Sequence, residues 1–256
     1  MRSVVVLGNI PLGTRIVKLL EANPNATVEG VVCREETFSF DHHAFPDEPG
    51  VYEYVRDRDI DVFELDELAT AFSDGEVYLG VSARNNQVLR ERHLDIFQKG
   101  VVNCHGGILP AYRGLNCANF ALIEDCDEFG GTIHYMTEEV DAGPIIDRAW
   151  FDVEDDATAH DVFVEVTESL YDLVERNIDA ILDDTEETTE QETLIDEGEP
   201  VGYYPRGELD EYREVSPEWS PECIDRYARA FSFPGHEPAY FEYDERKIYI
   251  TLDWED

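Results

Sequence analysis

The stretch "SVVVLGNIPLGTRIVKLLEANP", residues 3–24, decides the fold. Its first part is a β-branched run that ends at Gly8 and reads as a short buried strand. Its second part places Ile16, Leu19 and Leu20 on one helical face. A strand, a turn and a helix in that order open a βαβ unit, and the alternation continues. Further strands are expected at residues 27–33, 61–65, 76–81 and 101–105. Residues 34–55 are polar and irregular. Helices are expected at 67–72, at 85–100 with Gly100 as C-cap, and at 115–125. Strands at 130–136 and 144–153 flank a loop at 137–143. A long helix starts at the N-cap Thr158 and runs to about Leu182 on an apolar stripe of Val162, Val166, Leu170, Leu173 and Ile178. The expected class is α/β, with a mostly parallel, Rossmann-like sheet over residues 1–182.

Residues 183–200 hold nine acidic side chains and no basic one, which reads as a solvated linker or outer hairpin. Residues 201–256 are rich in Tyr, Phe and Trp. A short helix at 221–231 and a β-hairpin at 239–252 are expected there, as a small C-terminal β-rich appendage. There is no internal repeat.

The formal net charge is −40 over 256 residues, and only three lysines occur (Lys18, Lys99 and Lys247). Such an acidic, heavily solvated surface fits a salt-rich cytosol and a halophilic protein. It disfavours binding to nucleic acid or an anionic membrane, because phosphate contact needs basic patches. The five cysteines are odd in number and include no CxxC, which fits free thiols in a reducing compartment. The chain opens directly on a strand, with no signal peptide and no long apolar run, so a cytoplasmic location is expected. His42 and His43 sit beside Asp41 in a polar loop. With no second ligand cluster at a suitable spacing, no metal is expected.

In open α/β sheets ligands sit beyond the carboxyl ends of the strands. The strand at 101–105 ends in Asn103 and His105, which share a face because residues i and i+2 of a strand point the same way. The Asn amide can donate to a carbonyl or a developing oxyanion. The imidazole exchanges a proton near neutral pH. Asp141, in the loop 137–143, is the best candidate to orient and charge it. Together the three suit acyl transfer to an amine without a covalent enzyme intermediate. Cys104 faces away from the pair, and His134 reads as a structural strand residue.

"NCHGGILPAYRGLN" (103–116), "GTIHYM" (131–136) and "EEVDAGPII" (138–146) together resemble the signature of formyltransferases that use 10-formyltetrahydrofolate. That family includes methionyl-tRNA formyltransferase, glycinamide ribonucleotide formyltransferase and the nucleotide-sugar N-formyltransferases. The resemblance covers residues 1–182. It implies that Asn103 polarises the formyl carbonyl and holds the oxyanion. His105 would stabilise that oxyanion or shuttle the amine proton, and Asp141 would orient His105 and a water. It also implies a pterin site along Leu79, Gly80, Val81 and Ala83 and along Glu139, Val140 and Gly143. Many members carry Ser where this chain has Gly107, a departure expected to affect rate little. The opening lacks the GxGxxG fingerprint, so nothing here points to NAD.

The aromatic tail is similar to that of the sugar N-formyltransferases, which implies a nucleotide-linked amino sugar as the small-molecule acceptor. Tyr203, Tyr204 and Arg206 are then candidates to stack on a base and meet a phosphate, and Arg113 to contact sugar or phosphate. For any one of these aromatics, packing of a small hairpin is an equally good reading. The alternatives are another amine, including methionyl-tRNA, and a non-catalytic folate-binding protein on the same fold. The sugar enzymes are often dimers, so a homodimer is among the expectations.

Overall fold

The computed structural model describes residues 1–35, 44–85 and 87–252; the His42–His43 pair lies outside them. In chain order the elements begin β1 (Arg2–Leu7), α1 (Pro11–Ala22), β2 (Ala26–Val32), α2 (Val51–Val55), β3 (Asp61–Phe63), α3 (Leu65–Ala71) and β4 (Leu79–Ala83). They continue α4 (Glu91–Leu94), β5 (Val101–His105), β6 (Arg113–Gly114), α5 (Cys117–Ile123), β7 (Glu128–Tyr135), β8 (Ile145–Asp152) and α6 (Ala159–Leu182). The C-terminal part adds α7 (Gln191–Asp196), β9 (Tyr203–Tyr204), a 3₁₀ turn (Glu208–Tyr212), α8 (Pro221–Ala230), β10 (Tyr240–Tyr243) and β11 (Arg246–Tyr249).

Val4, Val5, Val6 and Leu7 are fully buried, because β1 lies mid-sheet between β2 and β4. The seven-stranded sheet runs β3-β2-β1-β4-β5-β7-β8. The first five strands are parallel, and β7 and β8 are antiparallel additions. This is a Rossmann-like α/β fold. Pro11 opens α1, where its missing N–H costs nothing. Leu12, Ile16, Val17 and Leu20 of α1 pack with Leu170, Leu173, Val174 and Ile178 of α6 on one sheet face. Leu65, Leu68, Leu89, Ile96 and Phe97 cover the other. Thr158 caps α6 reciprocally with Asp161: the Asp161 N–H donates to Thr158 Oγ1, and the Thr158 N–H donates to Asp161 Oδ2 at 2.9 Å.

The helix expected at 85–100 shrinks to the single turn of α4. Residues beyond it are taken by the sheet. The N–H groups of Gln98 and Lys99 donate to the carbonyls of Val77 and Tyr78, and Val77 N–H donates to Ile96 O. Pairing with the entry to β4 wins over helix propensity.

The acidic stretch 183–200 is not a solvated linker throughout. Lys99 Nζ lies 2.6 Å from Asp184 and 2.9 Å from Glu186, and the Tyr78 and Tyr135 hydroxyls donate to the same two carboxylates. Thr189 bridges Ile145, and Gln191 at the start of α7 is fully buried. The C-terminal part joins the sheet-bearing part through one apolar cluster. Leu209, Val215, Ala230, Phe231 and Ala239 pack with Phe120, Phe129, Val162 and Val166. Each large side chain so buried stabilises by about 1.5–3 kcal/mol. Among the described residues, no helix is long and apolar enough to cross a membrane.

Candidate active site

The antiparallel register of β5 and β7 sets Asn103 opposite His134 and His105 opposite Thr132. Opposed residues of an antiparallel pair share a face, so all four side chains meet at one end of the sheet. Asn103 and His105 are each 7% exposed. Thr132 fixes the loop that follows β5: its hydroxyl donates to Gly107 O at 2.8 Å and accepts from Leu109 N at 3.1 Å.

Asp141 adopts a left-handed backbone conformation, φ 49°. Its Oδ2 accepts from the Gly114 N–H at 2.9 Å and lies 3.5 Å from His105 Nδ1. Its Oδ1 lies 3.5 Å from His134 Nε2 and 3.4 Å from Asn103 Nδ2. The carboxylate therefore sits between two imidazoles and an amide. The tautomers follow from the carbonyl partners. His134 Nδ1–H donates to Tyr135 O at 2.9 Å, so Nε2 accepts from Asn103 Nδ2 at 3.2 Å. His105 Nε2–H donates to Tyr112 O, which leaves Nδ1 facing Asp141.

Burial would raise the Asp141 carboxyl, but His105, His134 and the Gly114 N–H outweigh it and hold the pKa well below the usual carboxylate range. Burial lowers the His105 pKa, and His134 and Arg84 add to that, while Asp141 opposes it. At neutral pH the site thus holds an ionised Asp141 beside a neutral His105. Cys117 Sγ lies 3.8 Å from His105 Nε2. Burial pushes that thiol up to about 12, so it is no nucleophile.

These groups open into a cavity of about 510 Å³ that runs from the loop after β4 to the C-terminal part. Glu139 and Val140 line it, as do Tyr203, Tyr204 and Arg206. Leu79, Gly80, Val81 and Ala83 do not. They form the body of β4, paired on both edges with β1 and β5, so their backbone groups already have partners. The wall begins one residue later, at Arg84. Gly143 also lies behind the wall, its carbonyl accepting from Gln191. The Arg113 Nε and Nη2 both donate to Gln191 Oε1, at 3.0 and 2.8 Å, so this guanidinium braces the site from behind. Tyr204 stacks on Phe120 at 4.2 Å and donates to Glu124 at 2.6 Å. Its ring belongs to the packing, whereas Tyr203 is 56% exposed. A second opening of about 560 Å³ beside α8, lined by Asp125, Ser220 and Arg226 among others, holds none of these groups.

Two residues here were not read from the sequence. His134 is a member of the cluster, and only the cross-strand register reveals it. Gln191 is hidden in the acidic run. Its Nε2 donates to Asp141 O and Gly143 O, both at 2.8 Å, while its Oε1 accepts from Arg113. Gln191→Ala removes the partner of the buried Gly143 carbonyl and of two half-buried groups, the Asp141 carbonyl and the Arg113 guanidinium, so a loss of roughly 2–5 kcal/mol is expected in urea melts. Gly107 also matters more than its loop position suggests. A Cβ there would lie 2.9 Å from the Tyr112 carbonyl oxygen and 3.0 Å from His105 Nε2. Gly107→Ser is therefore expected to lower kcat at least about tenfold and to cost about 1–3 kcal/mol of stability, by displacing the carbonyl that fixes the His105 tautomer. Steady-state kinetics with a thermal melt checks both.

The fold and the cluster define a Rossmann-like α/β protein with a buried amide–imidazole–carboxylate centre. Residues 2–178 match the formyl transferase family, and the chain belongs to it. Over 177 residues it is 31% identical to the GDP-perosamine N-formyltransferase of Brucella melitensis, covering 66% of this chain and 62% of that protein, less than two thirds of its length. It is 25% identical over 214 residues to the methionyl-tRNA formyltransferase of Pediococcus pentosaceus, covering 78% of this chain and 67% of that one. The 4-N formyltransferase from Francisella tularensis superposes with a TM-score of 0.78 at 19% identity, over 100% of this chain and 98% of that one. An N-formyltransferase from Helicobacter canadensis, solved with folinic acid and dTDP-3-aminofucose, gives 0.76 at 19% identity, over 97% and 86%.

Proposed function

We propose that the chain transfers the formyl group of 10-formyltetrahydrofolate to the amine of a nucleotide-linked amino sugar, in a salt-rich cytoplasm. The observation that carries this is the Asn103–His105–Asp141 cluster opening into a cavity that continues to Tyr203 and Arg206. The cavity has the volume of a cofactor site, with Val88, Leu89, Met136 and Val140 as apolar walls for a folate. The folate supplies an activated formyl group. The names of the Brucella and Helicobacter relatives, which act on or bind sugar nucleotides, support the acceptor class.

In this reading the amine adds to the formyl carbonyl beside Asn103. The Asn103 contact to Asp141, at 3.4 Å, is long for a hydrogen bond, so that N–H is the one free to turn to the developing oxyanion. His134 holds the amide so that its NH₂ faces the chemistry. The amine's proton passes to His105 Nδ1, directly or through a water. There the imidazolium pairs with Asp141, and when the oxyanion collapses the bond between the formyl carbon and the folate nitrogen breaks, that nitrogen taking the proton back from His105.

Methionyl-tRNA as acceptor is the second reading, favoured by the Pediococcus relative and opposed by a net charge of −40, which repels RNA. Mass spectrometry separates the readings. The protein is incubated at high salt with 10-formyltetrahydrofolate and a panel of dTDP-, UDP- and GDP-linked amino sugars, and in parallel with charged initiator tRNA. A formyl mass gain on one sugar is expected. Gain on the tRNA alone sinks the sugar reading, and folate binding with no transfer at all sinks the enzymatic one.

The halophilic reading has its own test. Self-repulsion of the acidic surface is screened as the Debye length falls from about 10 Å at 0.1 M to about 3 Å at 1 M salt. The melting temperature is expected to rise by about 5–10 °C over that range, equivalent to a few kcal/mol. A flat or falling melting curve against KCl removes the assignment.

A further inference from the structure

Two donors just beyond β4 are buried without an acceptor among the described residues: Nη1 of Arg84 and Nδ2 of Asn85. They are neighbours in sequence, and both residues line the catalytic cavity. Buried donors are nearly always paired, so an adjacent unmatched pair facing a cavity calls for an acceptor on a bound molecule. The Asn85 amide is oriented for this, because its Oδ1 accepts from the Gln87 N–H at 3.3 Å.

Arg84 carries further signs of a placed group. Its φ is 53°, a left-handed conformation unusual for a side chain of this size. Its guanidinium lies over the Phe163 ring, 4.4 Å from the centroid. That contact covers one flat face and leaves the N–H edge to act. Gly106 makes room for it: a Cβ at that position would lie 2.2 Å from Nη1. Burial draws the guanidinium pKa down to about 10, so it stays charged at neutral pH. Yet the chain has 59 acidic residues, and no described carboxylate forms an ion pair with Arg84. A buried cation left without a counter-charge is costly, and proteins keep such groups at functional sites.

The matching chemistry is an oxyanion, either a phosphate or a carboxylate. Its position favours the first. Nη1 abuts Gly106, the residue after His105, so the anion sits close to the reacting atoms. The glutamyl carboxylates of a folate are separated from its formyl nitrogen by a benzoyl ring and an amide. A diphosphate on a sugar's anomeric carbon lies within one ring of the amine. We propose that Arg84 and Asn85 form a phosphate-binding pocket that holds the acceptor's diphosphate and so places its amine; this rests on the sugar-nucleotide reading above.

Isothermal titration of the full chain at fixed KCl tests it, with inorganic pyrophosphate as one probe and folinic acid as the other. Arg84→Gln is expected to weaken pyrophosphate at least about tenfold and Asn85→Ala about three- to tenfold, in keeping with lost charged and neutral hydrogen bonds. Folinic acid affinity should not move. Asn85→Ala changes only a loop side chain, so it decides the matter if Arg84→Gln does not fold. Absent pyrophosphate binding in the wild type, unchanged pyrophosphate affinity in Asn85→Ala, or a loss confined to folinic acid each overturns the pocket. Turnover separates this from the acceptor reading. If pyrophosphate binding depends on Arg84 while no nucleotide-linked amino sugar is formylated, the pocket stands and that reading falls. If a sugar is formylated with an unchanged KM in Arg84→Gln, the reading stands and the pocket falls.

Discussion

Asn103→Ala is expected to lower kcat for formyl transfer by about 10²–10³, or about 2.7–4 kcal/mol of barrier, with little change in KM for either substrate. The reason lies in where its hydrogen bonds go. The amide nitrogen donates to His134 Nε2 at 3.2 Å and reaches Asp141 Oδ1 only at 3.4 Å. One N–H is thus held by the His134 ring nitrogen, which fixes the amide plane, and the other is loosely engaged. That contact is to a carboxylate but is stretched to 3.4 Å, so an oxyanion at ordinary hydrogen-bond distance offers the second N–H a shorter, stronger bond than the one it leaves. The gain appears only as negative charge develops, so it acts on kcat rather than on ground-state binding. His105→Ala should fall in the same range, because the neutral imidazole beside Asp141 is the proton acceptor. Measured on the acceptor that gains formyl mass, near-native turnover in Asn103→Ala would remove the oxyanion role. A loss seen only in KM would recast Asn103 as a binding residue.

The parts of this site that were legible in the sequence are those written in local order. The buried strands show as β-branched runs, α6 shows its stripe and its cap, and Asn103 and His105 share a face by the i, i+2 rule. What the sequence hid depends on partners distant along the chain. His134 joins the cluster only through the β5–β7 register. Gln191 sits in a run of acids whose composition says solvent, yet Lys99, Tyr78 and Tyr135 tie that run down. Residues 96–99 look helical but are drawn into pairing at the edge of β4. Leu79 to Ala83 read as a ligand wall although both their edges are already hydrogen-bonded. Arg113 and Tyr204 advertise a charge and a ring, and the fold uses them to brace Gln191 and to stack on Phe120. In each case a non-local contact overrides a local pattern, which propensity alone cannot register.

Asp141→Asn should lower kcat by roughly 10²-fold or more and move the acid limb of the pH–rate profile to lower pH. The sign follows from the neighbours. Burial lowers the His105 pKa, with His134 and Arg84 acting the same way; the Asp141 carboxylate opposes them. In the wild type the imidazole is therefore neutral above a pKa that lies below the ordinary value of about 6.5, and the rate should fall as pH drops through it. Asp141 is held well below the usual carboxylate range, so it stays ionised across that limb. Replacing it with Asn removes the largest influence favouring the imidazolium and leaves only the Tyr112 carbonyl acting that way, so the pKa drops further and the limb follows. The same loss explains the rate. A proton taken by His105 Nδ1 no longer finds a carboxylate 3.5 Å away, and the buried cation becomes costly to form. Asn keeps a carbonyl oxygen for the Gly114 N–H, so the loop has reason to keep its shape. Kinetics from pH 5 to 8 decides between roles. A limb that shifts upward, or stays put while kcat is nearly unchanged, means that Asp141 serves the loop and not the proton.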